Sequence, residues 1–373
     1  MLNLAPGRII LEPTTNHFES QAVLNPGCIK VGDTTHLFYR AVAPGNYSSI
    51  GYCQIRDGQI VYRHPEPLIA PRFAYERHGI EDPRIVYCAG TYYLFYVVYD
   101  GTNAQIAYST MTELPYGPGI PNFHRHRIIS AKLSYGEIAE LCAPVESTYP
   151  YGYFCTHYLQ VSPQWGTKLL WEKDAFIFPE KINGKFALVH RILPEIQVIY
   201  FDDFSQLTTE FWLENLSSLD RSTLLTPKYP FESRYIGGGC PPIRTKHGWL
   251  FIYHAVALEH GTPTYRAAAA LLDLHDPTRV LGRLPYPLFE PTETWEHLGD
   301  VGNVVFPTGA VLEGEMLHIY YGAADSRIAV RSVSLNELLA ALLPHPPKHS
   351  RHVHHTTHTA RTIPRRAPQA VGA

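Results

Sequence analysis

The chain has 373 residues, 45% of them hydrophobic, and a formal net charge of -3 at pH 7. That is enough apolar material for one large β-domain or two ordinary domains. Nearly matched acids and bases argue against a polyanion-binding face, so nucleic acid is not an expected partner, and no run approaches the roughly 20 apolar residues of a membrane span.

The amino terminus, MLNLAPGRIILEP, has no basic segment followed by an apolar stretch, which makes a cytoplasmic location the expectation. Beyond it, aromatic residues and prolines are plentiful and long 3.6-residue apolar periods are nearly absent, so many short strands are predicted. Five times the sequence gives a proline, a short strand, a turn that usually carries Gly, and an aromatic-rich strand: NPGCIKVGDTTHLFYRA, DPRIVYCAGTYYLFYVV, FPEKINGKFALVHR, PPIRTKHGWLFIYHA and FPTGAVLEGEMLHIYYGA. Each reads as a hairpin. Further strands follow at IGYCQIRDG, QIAYST, IQVIYFD and RIAVRSV, with YRAAAALLDLHDP in that place after the fourth hairpin. A unit of three or four strands recurring about every 60 residues is the pattern of a β-propeller, and five units predict an all-β, five-bladed one.

The recurring proline is taken to mark the start of a strand, where a missing N–H is tolerated. Between Pro83 and Pro179 the spacing exceeds the period by about half a blade, so KLSYGEIAELCAPVESTYPYGYFCTHYL, within 131–165, is assigned to an insertion. Ser334-Leu335-Asn336-Glu337 ahead of LLAALL resembles a capping box and predicts one short C-terminal helix. From Pro344 the chain turns rich in His, Arg and Pro with little to bury, so a propeller domain over 1–343 and a disordered tail over 344–373 are expected. The six cysteines, at 28, 53, 88, 142, 155 and 240, form no C-x-x-C pair and read as reduced, mostly buried thiols. Neither Cys nor His recurs at zinc-ligand spacing in the main body, so no metal is expected.

If the hairpins are equivalent, matching strand ends meet around one axis. First strands begin near Asn25, Asp82, Lys181, Arg244 and Thr308; second strands end near Arg40, Asp100, His190 with Arg191, His254 and Asp325. Antiparallel pairing puts both sets on one rim. Carboxylates mixed there with Arg, Lys and His make a pocket for a polar ligand. Asp82 and Arg84, two residues apart, share a face of their strand. They form either part of the site or a structural ion pair. Asp beside Arg is ordinarily a poor acid, and a bound dianion near the arginines would reverse that. His254 alone reads equally as a core histidine and Lys181 as a solvated lysine; it is the shared position in the repeat that argues for a joint role. Gly237-Gly238-Gly239 lacks the strand–loop–helix context of a nucleotide loop and reads as close backbone approach, so no cofactor is implied.

Together, FESQAVLNPG, LFYRA, GIEDPRI, DAFIFPEKINGKFALVHR, GGGCPPIRTKHGWLFIYH, LLDLHDP, VGNVVFPTG and IYYGAADSRI resemble glycoside hydrolase family 130, the β-mannoside phosphorylases and related β-mannosidases, from about Phe18 to Asp325. The resemblance implies a five-bladed propeller with Asp82 as general acid. It also implies inorganic phosphate as co-substrate, attacking the anomeric carbon directly and inverting it, so that a β-1,4- or β-1,2-linked mannoside gives α-mannose 1-phosphate. Lys181, Arg191 and His254, with Arg40 and Tyr253, are then expected to hold phosphate, and Asn25, Arg84, Asp300 and Asp325 to hold the mannose-containing oligosaccharide. An inverting hydrolase would need a second carboxylate about 6.5–9.5 Å from the acid. FPEKING and LFIYHA keep the basic pattern, which favours phosphorolysis. Hydrolysis and a non-catalytic carbohydrate-binding propeller stay open, whereas a furanosidase-type site would need a carboxylate trio. Two departures stand out: DGTNAQIAYST has no Arg near Gln105, and the insertion before Lys173 is a candidate for altering the phosphate or acceptor subsite or for contacts in a homo-oligomer.

Overall fold

The alternating apolar segments build antiparallel units, seen in a computed structural model that describes residues 2–115, 123–142 and 166–343. The expected tail, 344–373, and most of the insertion lie outside these residues, as does Cys155. Strand β1 (Arg8–Leu11) pairs with the last strand of the fold. The first unit comprises β2 (Ala22–Val31), β3 (Thr34–Ala43), β4 (Tyr47–Arg56) and β5 (Gln59–Arg63), and the second β6 (Gly79–Cys88), β7 (Thr91–Tyr99), β8 (Ala104–Met111) and β9 (His124–Arg125). A third is built from β10 (Lys173–Ile177), β11 (Phe186–Arg191), β12 (Ile196–Phe201) and β13 (Thr223–Leu225). In the fourth, β14 (Tyr235–Gly238) and β15 (Ile243–Thr245) both pair with β16 (Gly248–Glu259), which continues to β17 (Thr262–Leu272) and β18 (Val280–Arg283). The last unit, β19 (Val305–Glu313), β20 (Met316–Ala323) and β21 (Arg327–Ser334), is completed by β1. One parallel pairing, Ser48 with Gly79, joins the first two units into a single sheet.

Helices are short: α1 (Tyr135–Cys142), α2 (Thr209–Ser217), α3 (Thr294–His297) and α4 (Leu335–Leu342). The last opens where the capping sequence predicts, with the Ser334 side chain accepting the Glu337 N–H. Among the described residues no helix is long and apolar enough to cross a membrane. Cys28, Cys53, Cys88 and Cys240 are free and buried.

Only in the fourth hairpin does the proline mark a strand start, Pro242 directly preceding β15. Pro26, Pro83 and Pro307 lie inside β2, β6 and β19, where the register shifts between Leu24 and Gly27, Glu81 and Arg84, and Pro307 and Gly309. A bulge is the other place where a residue without an N–H fits within a sheet. At the bulges Asn25 (φ 49) and Asp82 (φ 52) adopt the left-handed conformation. The third unit has the same device between Lys173 and Phe176, with Asp174 at φ 60. Its counterpart of Asp82-Pro83 is therefore Asp174-Ala175, and Pro179 belongs to the β10–β11 turn.

A second repeat locks the units. Phe18-Glu19, Tyr75-Glu76, Trp171-Glu172, Phe231-Glu232 and Trp295-Glu296 precede the five first strands, and all five carboxylates are buried. Tyr39, Tyr253 and Tyr321 donate to Glu19, Glu232 and Glu296 at 2.7, 2.7 and 2.6 Å. Arg63, Arg283 and Arg331 pair with the same carboxylates at 2.8, 2.8 and 3.0 Å. Arg125 pairs with Glu76, and His190 stands 3.0 Å from Glu172. Tyr39, His190 and Tyr253 immediately precede Arg40, Arg191 and His254, so a lock on one face of the strand fixes the rim residue on the other.

Candidate active site

Where β2, β6, β10 and β14 begin, a cavity of about 360 Å³ opens, lined by Asn25, Arg40, Asp82, Lys173, Asp174, Arg191 and Asp325 and walled by Trp171, Tyr235, Tyr265 and Phe306. The bulges create it. A left-handed residue turns its side chain out of the strand's ordinary alternation, which aims Asn25, Asp82 and Asp174 inward.

Asp82 is 8% exposed, and Asn25 Nδ2 donates to its Oδ1 at 2.7 Å. Arg40 Nη1 lies 3.7 Å from the same oxygen, while Arg40 Nη2 is 3.0 Å from Glu81 Oε1. Lys173 Nζ stands 3.3 Å from Glu81 Oε2, so Glu81 ties two rim cations together. Burial raises the Glu81 carboxyl, but Arg40 and Lys173 outweigh it and hold it below its ordinary range. Asp325 behaves in the opposite sense: burial, opposed by Arg40 and reinforced by Asp82 and Asp300, pushes it up to about 6.

The second corner is built around Asp174, with Arg191 Nη1 at 3.0 Å, Arg84 Nη2 at 3.3 Å and His254 Nε2 at 3.8 Å. Burial acts against this carboxylate, yet Arg191, His254 and Arg84 together keep it below the usual range. Tyr235 and Tyr265 close this side with their hydroxyls 2.6 Å apart, and the Arg191 guanidinium sits 5.3 Å from the Tyr235 ring. Among the described residues, no group of three or more His, Cys, Asp or Glu is arranged to hold a metal.

Asn25, Arg40, Asp82, Arg191 and Asp325 thus meet in the cavity, and Asp300 is exposed at its mouth beside Val301. Four other expected residues do not line the cavity. Lys181 lies in the β10–β11 turn at the far end of the hairpin, 4.4 Å from the Phe186 ring; aligning on Pro179 displaced the third unit's rim from Lys173. Arg84, 1% exposed, is behind the wall, donating to the Asp82 carbonyl at 2.7 Å and to the Gly239 carbonyl at 2.7 Å. The bulge breaks the alternation that would have placed it beside Asp82. His254 is fully buried against Phe306, with ring centroids 4.4 Å apart, and burial lowers it to about 3, so it is a neutral prop for Arg191 and Asp174. Tyr253 faces the opposite side of β16, in the Glu232–Arg283 lock. Sequence reasoning missed Glu81, Lys173, Asp174, Trp171 and the tyrosine pair. Lys173-Asp174 stands against Arg191 as Leu24-Asn25 stands against Arg40, a correspondence that the prolines hid.

The family model described as β-1,4-mannooligosaccharide phosphorylase matches residues 9–138 and 156–343. The chain belongs to glycoside hydrolase family 130. The 1,2-β-oligomannan phosphorylase of Thermoanaerobacter sp. (strain X514) is 31% identical over 338 residues, covering 88% of this chain and 96% of the relative. A β-1,2-mannobiose phosphorylase of the same organism is 33% identical over 336 residues, covering 86% and 93%. The solved β-1,2-mannobiose phosphorylase from Listeria innocua, in complex with β-1,2-mannobiose, superposes with a TM-score of 0.64 at 25% identity over 89% of this chain and 95% of that one.

Proposed function

We propose that this family 130 protein is an inverting β-mannoside phosphorylase that converts a β-mannoside and inorganic phosphate to α-mannose 1-phosphate and a shortened sugar. The observation that carries the reading is the ordered carboxyl of Asp82 on a rim where Arg40, Lys173 and Arg191 gather positive charge. The two relatives that span nearly the whole chain are named for β-1,2-linked substrates, so β-1,2-mannosides are the first choice over β-1,4.

Asn25 donates to Asp82 Oδ1 and Arg40 lies on the same side, so that oxygen is engaged as an acceptor and Oδ2 is the one placed to deliver a proton. A phosphate oxygen attacks C1 as the C1–O bond breaks. The departing oxygen takes its proton from Asp82, relayed through a sugar hydroxyl, and Asp82 is left as a carboxylate. Phosphate is already a nucleophile, so no second carboxylate is needed to activate water. Lys173, Arg191 and Arg40 are the groups placed to hold it, with His254 and Arg84 supporting from behind, and Asn25, Asp325 and Asp300 remain for the sugar. The reaction calls for no cofactor.

We read the five units as blades of a five-bladed propeller, supported by five aromatic–Glu locks in register with five hairpins. Residues 1–343 form the catalytic domain in this reading, with 344–373 an appendage to it. Four free, buried thiols favour a cytoplasmic, reducing location. Incubating the protein with β-1,2- and β-1,4-mannobiose, with and without phosphate, tests the reaction. Phosphate-dependent mannose 1-phosphate is the expected product; free mannose at equal rates without phosphate overturns it in favour of hydrolysis.

A further inference from the structure

The internal part of the chain that the family match passes over is 139–155, and its flanks return to the cavity. Residues 131–135 and 168–172 run antiparallel as a stem: Leu170 N donates to the Leu133 carbonyl at 2.8 Å, Tyr135 N to the Lys168 carbonyl at 2.9 Å, and Ala131 N to Glu172 Oε2 at 2.9 Å. Glu172 belongs to the buried lock with His190, so the stem is anchored to the strand that carries Arg191.

Trp171 hangs from this stem where the other units have Phe18, Tyr75, Phe231 and Trp295. Glu19 and Glu76 stand six residues ahead of their bulge residues, Asn25 and Asp82, whereas Glu172 stands two ahead of Asp174. The shorter link carries the third unit's aromatic residue to the rim, where it lines the cavity with Tyr135. One edge of the indole is pinned by Nε1–H donating to the Thr102 carbonyl at 3.0 Å, and the Trp171 N–H donates to Tyr135 Oη at 3.3 Å. A ring held at its edge, half-exposed and beside charged hydrogen-bonding groups, suits the apolar C–H face of a sugar. Lys173 Nζ lies 5.7 Å from the centre of the indole, so a phosphate dianion is met by that ammonium and by Arg191, to which the uncharged ring adds little.

We propose that Trp171, positioned by the insertion stem with Tyr135, is the stacking platform for the acceptor sugar, and so determines which sugar follows the mannosyl bond. The assignment to an acceptor rests on the phosphorylase reading; the stacking of a sugar on Trp171 does not.

Two measurements on the full chain separate them. In the synthetic direction, with α-mannose 1-phosphate and mannose as acceptor, Trp171→Ala raises the acceptor KM roughly three- to tenfold, the worth of an aromatic contact. The KM for mannose 1-phosphate stays unchanged, and Trp171→Phe restores most of the loss. By calorimetry without phosphate, β-1,2-mannobiose binds Trp171→Ala more weakly by a similar factor and Trp171→Phe nearly as well as the parent. Trp171→Leu, which keeps apolar bulk without a flat face, carries both measurements should the alanine variant unfold. Unchanged acceptor KM and mannobiose affinity, or an effect confined to phosphate, overturns the proposal. Weakened mannobiose binding in a protein that makes no mannose 1-phosphate overturns the phosphorylase reading and leaves the platform standing.

Discussion

Replacing Lys173 by alanine removes an ammonium that stands 3.3 Å from Glu81 and faces the cavity, whereas Lys181→Ala removes one held over Phe186 at the far end of the hairpin. A hydrogen bond from a charged donor contributes about 1.5–3 kcal/mol. If Lys173 makes that bond to phosphate, its loss raises the phosphate KM roughly ten- to 150-fold. Glu81 keeps Arg40 as partner at 3.0 Å, so the rim retains its neutralised carboxylate and the fold survives. Lys181→Ala removes only an exposed cation–π contact, about 0.5–1 kcal/mol of stability, and leaves the phosphate KM within about twofold. Initial rates over a phosphate series at saturating β-1,2-mannobiose read both variants. A larger phosphate effect at Lys181 than at Lys173 would refute the bulge-based alignment and return the rim to the proline-based one.

Three further outcomes are expected. Asp82→Asn lowers kcat by about 10²–10⁴ without altering the circular dichroism spectrum; Gly322→Ala, whose methyl would press on Asn25 Oδ1, reproduces part of that loss, and near-normal rates in Asp82→Asn exclude it as the acid. Asp325 is raised when folded, to about 6, so the folded state binds the extra proton and stability is lost as pH rises from about 4 through 6. Asp325→Asn removes this loss, gaining at most about 3 kcal/mol over the parent at neutral pH, less for screening at a partly exposed group; a difference in melting temperature that does not grow between pH 4 and 6.5 contradicts it. Glu232→Ala removes the carboxylate that neutralises the Arg283 guanidinium, leaving it only the Tyr253 hydroxyl and the Thr226 carbonyl, and costs about 3–5 kcal/mol in chemical denaturation, whereas a loss below about 1 would mean the lock is idle.

Much of the site could be read before folding because strand ends are set by local pattern. Turn residues and aromatic runs located the five hairpins, and antiparallel pairing then put Asn25, Arg40, Asp82, Arg191 and Asp325 on one rim. Two of the misplacements, Lys181 and Arg84, share one cause. A proline shows that an N–H is missing but not whether a strand begins there or bulges there, and the two cases shift the facing residues by one or two positions. In the third unit that ambiguity exchanged Lys173 for Lys181, and at the EDPR segment it placed Arg84 beside the ligand when it lies behind the wall. The repeated aromatic–Glu pair was present in the sequence all along, but in the third unit it stands two residues ahead of the bulge instead of six, so its spacing points to Phe178-Pro179 and does not by itself correct the register.

By itself the sequence determined the β class, the fivefold repeat and a rim rich in both charges, because hydrophobic period and turn chemistry act over a few residues. Only the tertiary structure decided which of those charges meet. Left-handed bulges at Asn25, Asp82 and Asp174 redirect side chains against the strand's alternation, and burial then makes His254 neutral, Arg84 a strut and Asp325 a weak acid. Those outcomes depend on what neighbouring units place around each group, which no local stretch of sequence contains.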